Sequence, residues 1–385
     1  MTMRFFRQSR QRAALFVTAG ALITTLALVI SSRGYGQGSS SADLPADLTN
    51  RGAVLFSTKF TVGEGLGPLF NQTSCSDCHA APTAGGAGPE GLGIEVRIGR
   101  LTSAGFDPMI GHGGPVARAH SVTEQGFPCD LISGIPAGAN VTSVRNAPDL
   151  HGTGLIDAIR DEEISAGVVP RRDGIHGRAH WVRTDNGRER IGRFGWKADT
   201  ATLRQLVADA FRNELGITSP LAPVDIAPAG LPGRHRCPGE SSKVEDDGSI
   251  VDAVTAFIAT LPPSPARIRS SRGEELFRTV GCGSCHTASL PLGNRQVWLY
   301  SDLLLHDLGP DLDDKVVQGH AGGRDWRTTP LWGLGTRLRL LHDGRARNIA
   351  EAIRAHGGEA TAARRRFLML VPEEKGALLA FLAGL

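Results

Sequence analysis

Little net charge separates the chain's 42 lysines and arginines from its 39 acids. None of those acids lies in residues 1–36, where five arginines do: Arg4, Arg7, Arg10, Arg12 and Arg33. Without that segment 37 basic residues face 39 acidic ones, a formal charge of −2. The basic surface that nucleic acid requires is therefore missing, and nucleic acid is excluded as an expected partner. Cysteine is scarce as well, at six residues.

The acid-free start reads as an export signal, with four arginines in the first twelve residues followed by the uncharged run from Ala13 to Ile30. That run is long for a signal and close to a minimal membrane span, so residues 1–36 are expected to be a signal peptide or an uncleaved N-terminal anchor. Gly34 and Gly36 permit cleavage nearby, though no Ala-x-Ala site is present. The chain is expected to be exported and periplasmic. Its 49 glycines and 22 prolines predict separated helices joined by long, turn-rich connections. Its 385 residues suggest about two domains.

Four of the six cysteines form two C-x-x-C pairs, each followed at once by histidine: Cys75, Cys78 and His79, then Cys282, Cys285 and His286. Zinc would need the pairs to close one Cys₄ site, and a gap of 203 residues between them fits that poorly. A thioredoxin-like dithiol leaves His79 and His286 without a purpose. Covalent c-type haem explains every position, because two thiols on one helical turn reach two vinyl groups and the next residue projects toward the iron. Two covalent haems are expected, with His79 and His286 as proximal ligands. The remaining cysteines, Cys129 and Cys237, can pair in an oxidising compartment.

An internal repeat supports two haem modules. Arg51–Phe56 reads RGAVLF and Arg272–Phe277 reads RGEELF, each preceding a cysteine pair, and the modules close alike in AFIATL (256–261) and AFLAGL (380–385). The first copy carries a fourteen-residue, Gly-rich insertion between its Phe and its first Cys. The expected division is 45–262 and 263–385, joined at the proline-rich PPSPAR. One further helix is expected over Ala198–Leu215, N-capped by Asp199 or Thr200.

With both C-x-x-C-H motifs stand GLGPLFN, RNAP (145–148), GRFGWKADTATLRQ (192–205), YSDLLLHDLGP (300–310), TPLWGLG (329–335) and LHDGRA (341–346). Over residues 45–385 this set resembles the bacterial di-haem cytochrome c peroxidase superfamily, and within it the di-haem oxidoreductases. The resemblance implies a mainly α fold: two cytochrome c-like haem domains with long Gly/Pro-rich loops. One haem relays electrons and the other meets the oxidant. It places a distal ligand of the second haem, usually Met, in the helix after LHDGRA, where this chain has His356, with Met369 as its rival. Trp196 is expected to bridge the haems and Arg145 to bind a propionate. His342 is expected as a catalytic residue, with it or His306 donating to a propionate or backbone group near the haem interface. The catalytic glutamate of such peroxidases is replaced in the text by Arg204 and Gln205, so Gln205 is expected to orient water, while Glu214 lies nine residues on. His112, His120 and His151 compete as distal ligands of the first haem.

The expected function is peroxidase-like electron transfer from a small donor, a cytochrome c or a cupredoxin, to hydrogen peroxide or another oxidant. A non-catalytic di-haem electron carrier is the alternative, and an oxygenase or protein-modifying activity is a third. A bridging calcium ion and a homodimer stay open.

Overall fold

Gly52 and Gly273, the glycines of the RGxxLF repeat, are the points where each module folds back on itself. A Cβ on Gly52 would lie 1.9 Å from the Ala253 carbonyl oxygen, and one on Gly273 would lie 2.5 Å from that of Ala377. Only glycine lets the helices Ala46–Ser57 and Ser249–Thr260, and likewise Ser271–Val280 and Pro372–Ala383, approach so closely. One turn further along each pair, Phe56 packs on Phe257 at 5.2 Å and Phe277 on Phe381 at 5.5 Å. The repeat is a helix-crossing device built twice.

A computed structural model describes residues 44–88, 93–225, 237, 244–265 and 270–385. The expected signal or anchor, residues 1–36, and the end of PPSPAR lie outside these. Among the described residues no helix is long and apolar enough to cross a membrane. The described residues form one compact unit. It has one core around Phe56, Leu66, Phe211 and Val254, which Leu290, Leu299, Leu303 and Leu304 join, and another around Leu276, Phe277, Phe367 and Phe381.

The expectation of a mainly α chain is wrong: among the described residues helix accounts for 35% and strand for 18%. The glycine- and proline-rich stretches pair into short antiparallel ladders instead of staying irregular. The largest is built on Ile94–Thr102, which pairs with Gly105–Asp107, Val116–Ala117 and Val141–Asn146. In the second half Leu305–Asp307 pairs with Asp325–Arg327. Backbone groups that no helix satisfies are paired across strands.

The repeat also runs through these ladders. Gly152 N–H donates to the Leu261 carbonyl and Gly333 N–H to that of Leu385, while Gly154 and Gly335 each lie against the same last turn. RNAPDLHGTG (145–154) and RTTPLWGLG (327–335) are thus the same connection, and Arg327 is the counterpart of Arg145.

Cys129 and Cys237 form a disulfide closing a separation of 108 residues. It packs with Leu69 and Leu131. The four cysteines of the C-x-x-C pairs are left as free thiols.

Candidate functional site

Cys75–Cys78 is a single helical turn, N-capped by Ser74, whose hydroxyl accepts from the Ser76 N–H. Cys282–Ser284 is a 3₁₀ turn. In both, the histidine N–H donates back to the carbonyl of the first cysteine at 3.0 Å, His79 to Cys75 and His286 to Cys282. Each ring is then oriented by its own Nδ1–H, donated to the Gly86 carbonyl at 3.0 Å and to the Tyr300 carbonyl at 2.9 Å. This tautomer leaves Nε2 free as a ligand. Burial lowers the pKa of both, His286 to about 4, so the imidazoles are neutral, as ligation requires.

Each motif lines its own cavity. The first, of about 360 Å³, is lined by Cys75, Cys78 and His79, and the second, of about 180 Å³, by Cys282, Cys285, His286 and His356. The residues fit haem. Burial pushes the thiols of Cys75, Cys78 and Cys282 up to about 12, so as free groups they stay protonated. Among the described residues no group of three or more His, Cys, Asp or Glu is placed to hold a metal ion by itself. Buried cations also face the cavities. Arg327 and Arg337 line both; the Arg327 side chain bonds the Gly195 and Thr328 carbonyls, and Arg337 bonds the Pro330 and Trp332 carbonyls, its Nε lying 4.0 Å from Asp149 without a hydrogen bond. Haem carboxylate side arms would give these cations a further anionic partner.

The second cavity holds a second histidine. His356 ends the helix Ile349–Ala355 and donates its Nδ1–H to the Ala352 carbonyl at 2.6 Å, so it caps the helix and faces the cavity at once. Met369 is 83% exposed and lines neither cavity. His306, also lining the second cavity, sits between Asp302 at 3.1 Å and Glu359 at 2.7 Å. Burial opposes its charge, but hydrogen bonds to Asp302, Cys285 and Glu359 prevail and raise its pKa to about 11.

The first cavity is different. His112 is exposed, and His120 bonds Glu124 and stacks on Phe70; neither lines the cavity. His151 does line it, but its Nδ1 is hydrogen-bonded to Asp149 at 2.7 Å and its Nε2 faces Thr83 Oγ1 at 3.4 Å, in the loop that follows His79. Its ring thus faces the loop that follows His79. Among the polar groups that line the cavity are two carboxylates and an arginine that act on one another, Glu95, Glu214 and Arg97.

Gln205, expected as the water-orienting residue, lines neither cavity, and its Oε1 is buried without a partner. The helix holding it spans Leu203–Ala210 and is capped by Thr202. Asp199 and Thr200 do not cap it, because the Thr200 carbonyl accepts from both Arg193 and Phe194 and draws that residue into a bridge. At 3.6 residues per turn, Glu214 lies half a turn round from Gln205. A π turn over Phe211–Leu215 then ends the helix at the cavity.

Glu214 is held by the Gly-rich insertion. Gly67 meets Gly216 so closely that a Cβ would lie 2.3 Å from the Gly216 carbonyl oxygen, and Asn71 Nδ2 donates to Glu214 Oε2 at 2.8 Å. Burial first, then the negative charge of Glu95, raises the Glu214 pKa to about 8. Burial would raise Glu95 too, but the guanidinium of Arg97, bonded to both its oxygens, holds it below the usual carboxylate range.

Between the cavities lies an aromatic stack. Trp196 lines both and donates its Nε1–H to the Asn146 carbonyl at 3.0 Å. His342 meets Trp196 edge-on at 6.5 Å and stacks face to face on Trp326 at 3.7 Å. Burial lowers the His342 pKa to about 4. Over Trp326 lie Lys197 Nζ at 4.0 Å and Arg145 Cζ at 4.9 Å. Both cations pair with Asp314, and the Lys197 ammonium also donates to the carbonyls of Gly322, Gly323 and Asp325. Arg145 is thus buried, lines the first cavity and is joined to the second half of the chain.

The sequence reading missed Glu95, Arg97, Arg327, Arg337 and Trp326. Glu95 and Arg97 were visible as the polar positions of IEVRI, whose strict alternation marks a strand with both on one face. Arg327 was visible by aligning RNAP with RTTP.

No curated protein matches the chain. Among solved structures it resembles hydrazine synthase of Kuenenia stuttgartiensis pressurised with xenon, at 15% identity and TM-score 0.40, over 98% of this chain and 100% of that one. It resembles a MauG-like protein associated with microbial copper homeostasis at 15% identity and TM-score 0.41, over 89% of each chain. It also resembles the diheme peroxidase BthA from Burkholderia thailandensis at 18% identity and TM-score 0.41, over 89% of this chain and 86% of that one. Scores this low carry no argument. The family described as "Di-haem oxidoreductase, putative peroxidase" matches residues 137–385, beginning after the first C-x-x-C-H motif. That is well over half of the sequence, and the chain belongs to the di-haem oxidoreductase family.

Proposed function

We propose that the protein is a peroxidase with two covalent c-type haems, held by Cys75, Cys78 and His79 and by Cys282, Cys285 and His286. The observation that carries this is the asymmetry of the cavities: His286 and His356 both line the second, whereas the first is lined by His79, by His151, whose Nδ1 is already bonded to Asp149, and by the acid and arginine side chains of Glu95, Arg97 and Glu214. Two histidines favour a closed, six-coordinate iron of low potential, suited to storing an electron. The first haem would supply an open iron and the electrons that reduce a bound peroxide.

The chain's own residues do the rest. Glu214, neutral below about pH 8, donates a proton to the oxygen that departs. Arg97 keeps Glu95 ionised and puts positive charge beside the developing hydroxide. Trp196, lining both cavities, carries electrons between them, while Arg327 and Arg337 bind propionates. The cysteine disulfide suits an oxidising compartment, in keeping with export to the periplasm, where a small cytochrome c or cupredoxin would be the donor.

The test is direct. Holoprotein given such a reduced donor is expected to consume hydrogen peroxide, oxidising two donor molecules for each peroxide. Donor oxidation that proceeds to a fixed amplitude and ignores added peroxide would mark an electron carrier.

A further inference from the structure

We propose that Glu95 is the proton partner of Glu214: the two carboxyls share a hydrogen bond and one proton, so the first cavity presents an acid and a carboxylate to the same peroxide. The inference rests on the peroxidase reading and deepens it.

The pair is built by elements distant in sequence. Glu95 belongs to the strand Ile94–Thr102, opposite Arg145 in register. Glu214 follows from the π turn Phe211–Leu215. Both side chains line the first cavity, and each acts on the charge of the other. Two buried like charges in contact do not ionise together. The surrounding groups decide which keeps the charge. Arg97 bonds both oxygens of Glu95, and Arg145 adds positive charge from the paired strand. Glu214 receives one hydrogen bond from the neutral Asn71 and weaker fields from Arg118 and Arg97. Asp199 faces Arg97 and offsets part of its charge. The negative charge therefore rests on Glu95 and the proton on Glu214.

The chemistry balances. Glu95 accepts the proton of one peroxide oxygen while Glu214 gives its proton to the other, which leaves as water with the electron pair of the O–O bond. The proton on Glu95 then crosses the hydrogen bond to Glu214. The remaining oxygen takes two solvent protons and two electrons from the donor and leaves as the second water.

The experiment is an infrared pH titration of oxidised holoprotein in H₂O and D₂O, following the carbonyl stretch of a protonated carboxyl. In the wild type one such band, absent from Glu214→Gln, should disappear with a midpoint of about 8. Glu95→Gln should move that midpoint down by about one pH unit or more, and Glu95→Asp, which keeps the charge, should leave it high. Glu95→Met supplies the same reading if the glutamine variant does not fold. A midpoint unmoved in the neutral variants, or a band lost with Glu95 and kept in Glu214→Gln, overturns the pairing. Peroxide turnover with an unmoved midpoint sinks the pairing alone. A shifted midpoint in a protein that reduces no peroxide sinks the peroxidase reading and leaves the pairing standing.

Discussion

Glu214→Gln is expected to lower kcat/KM for hydrogen peroxide by about 100- to 10,000-fold, the range that general acid–base catalysis contributes. The substitution keeps the shape of the side chain and an oxygen to accept from Asn71 Nδ2, but removes the transferable proton. Because burial and the Glu95 charge raise its pKa to about 8, Glu214 is protonated through neutrality. The wild-type rate should therefore fall as pH rises through about 8, and that limb should vanish in the variant. Gln205→Ala is the control: Gln205 lines neither cavity, and its replacement should leave kcat/KM within about threefold. Steady-state kinetics across pH, with thermal melts to confirm folding, decide the matter. An unchanged kcat/KM in Glu214→Gln would remove this residue from the mechanism.

Asp314→Ala is expected to cost about 3–5 kcal/mol of stability, the toll of stranding a buried charge. The Asp314 side chain is 4% exposed, with Arg145 at 4% and Lys197 at 0%. Ser143 Oγ also donates to it, at 2.8 Å. Losing this anion leaves two buried cations above the face of Trp326, with three carbonyls about the ammonium in place of a counter-charge. Burial already lowers the Lys197 pKa to about 8, so part of the loss is relieved by deprotonation, and the variant should be comparatively less impaired at alkaline pH. Denaturant unfolding at pH 7 measures the cost. Arg272→Ala, removing an arginine 52% exposed in its pairs with Glu275 and Glu374, should cost only a small fraction of that, because water screens exposed pairs. Equal losses in the two variants would mean that the buried cluster contributes no more than a surface pair.

The parts of this molecule legible in the sequence are those in which chemistry is local. A C-x-x-C-H turn carries its function within five residues, and the glycine of RGxxLF announces a helix crossing because no other residue fits against the Ala253 or Ala377 carbonyl. The mixed fold was less visible, since most strands are two or three residues long and lie in glycine- and proline-rich stretches. The carboxylate pair needs two distant segments to meet. Glu214 was obscured by the π turn, which breaks the helical period. Glu95 and Arg97 share the polar face of a strand that lines the cavity, and Ile94 at its start, though 42% exposed, lines it too. Alternation showed where the faces were but not which one met the cavity.

The central claim is that the first haem has an open iron and the second does not. Electron paramagnetic resonance of the holoprotein, oxidised and half-reduced, with and without cyanide and peroxide, tests it most directly. The account predicts one high-spin ferric signal that cyanide converts and peroxide consumes, beside a low-spin signal indifferent to both that is lost in His356→Ala. Two low-spin signals insensitive to either ligand in both redox states would contradict it.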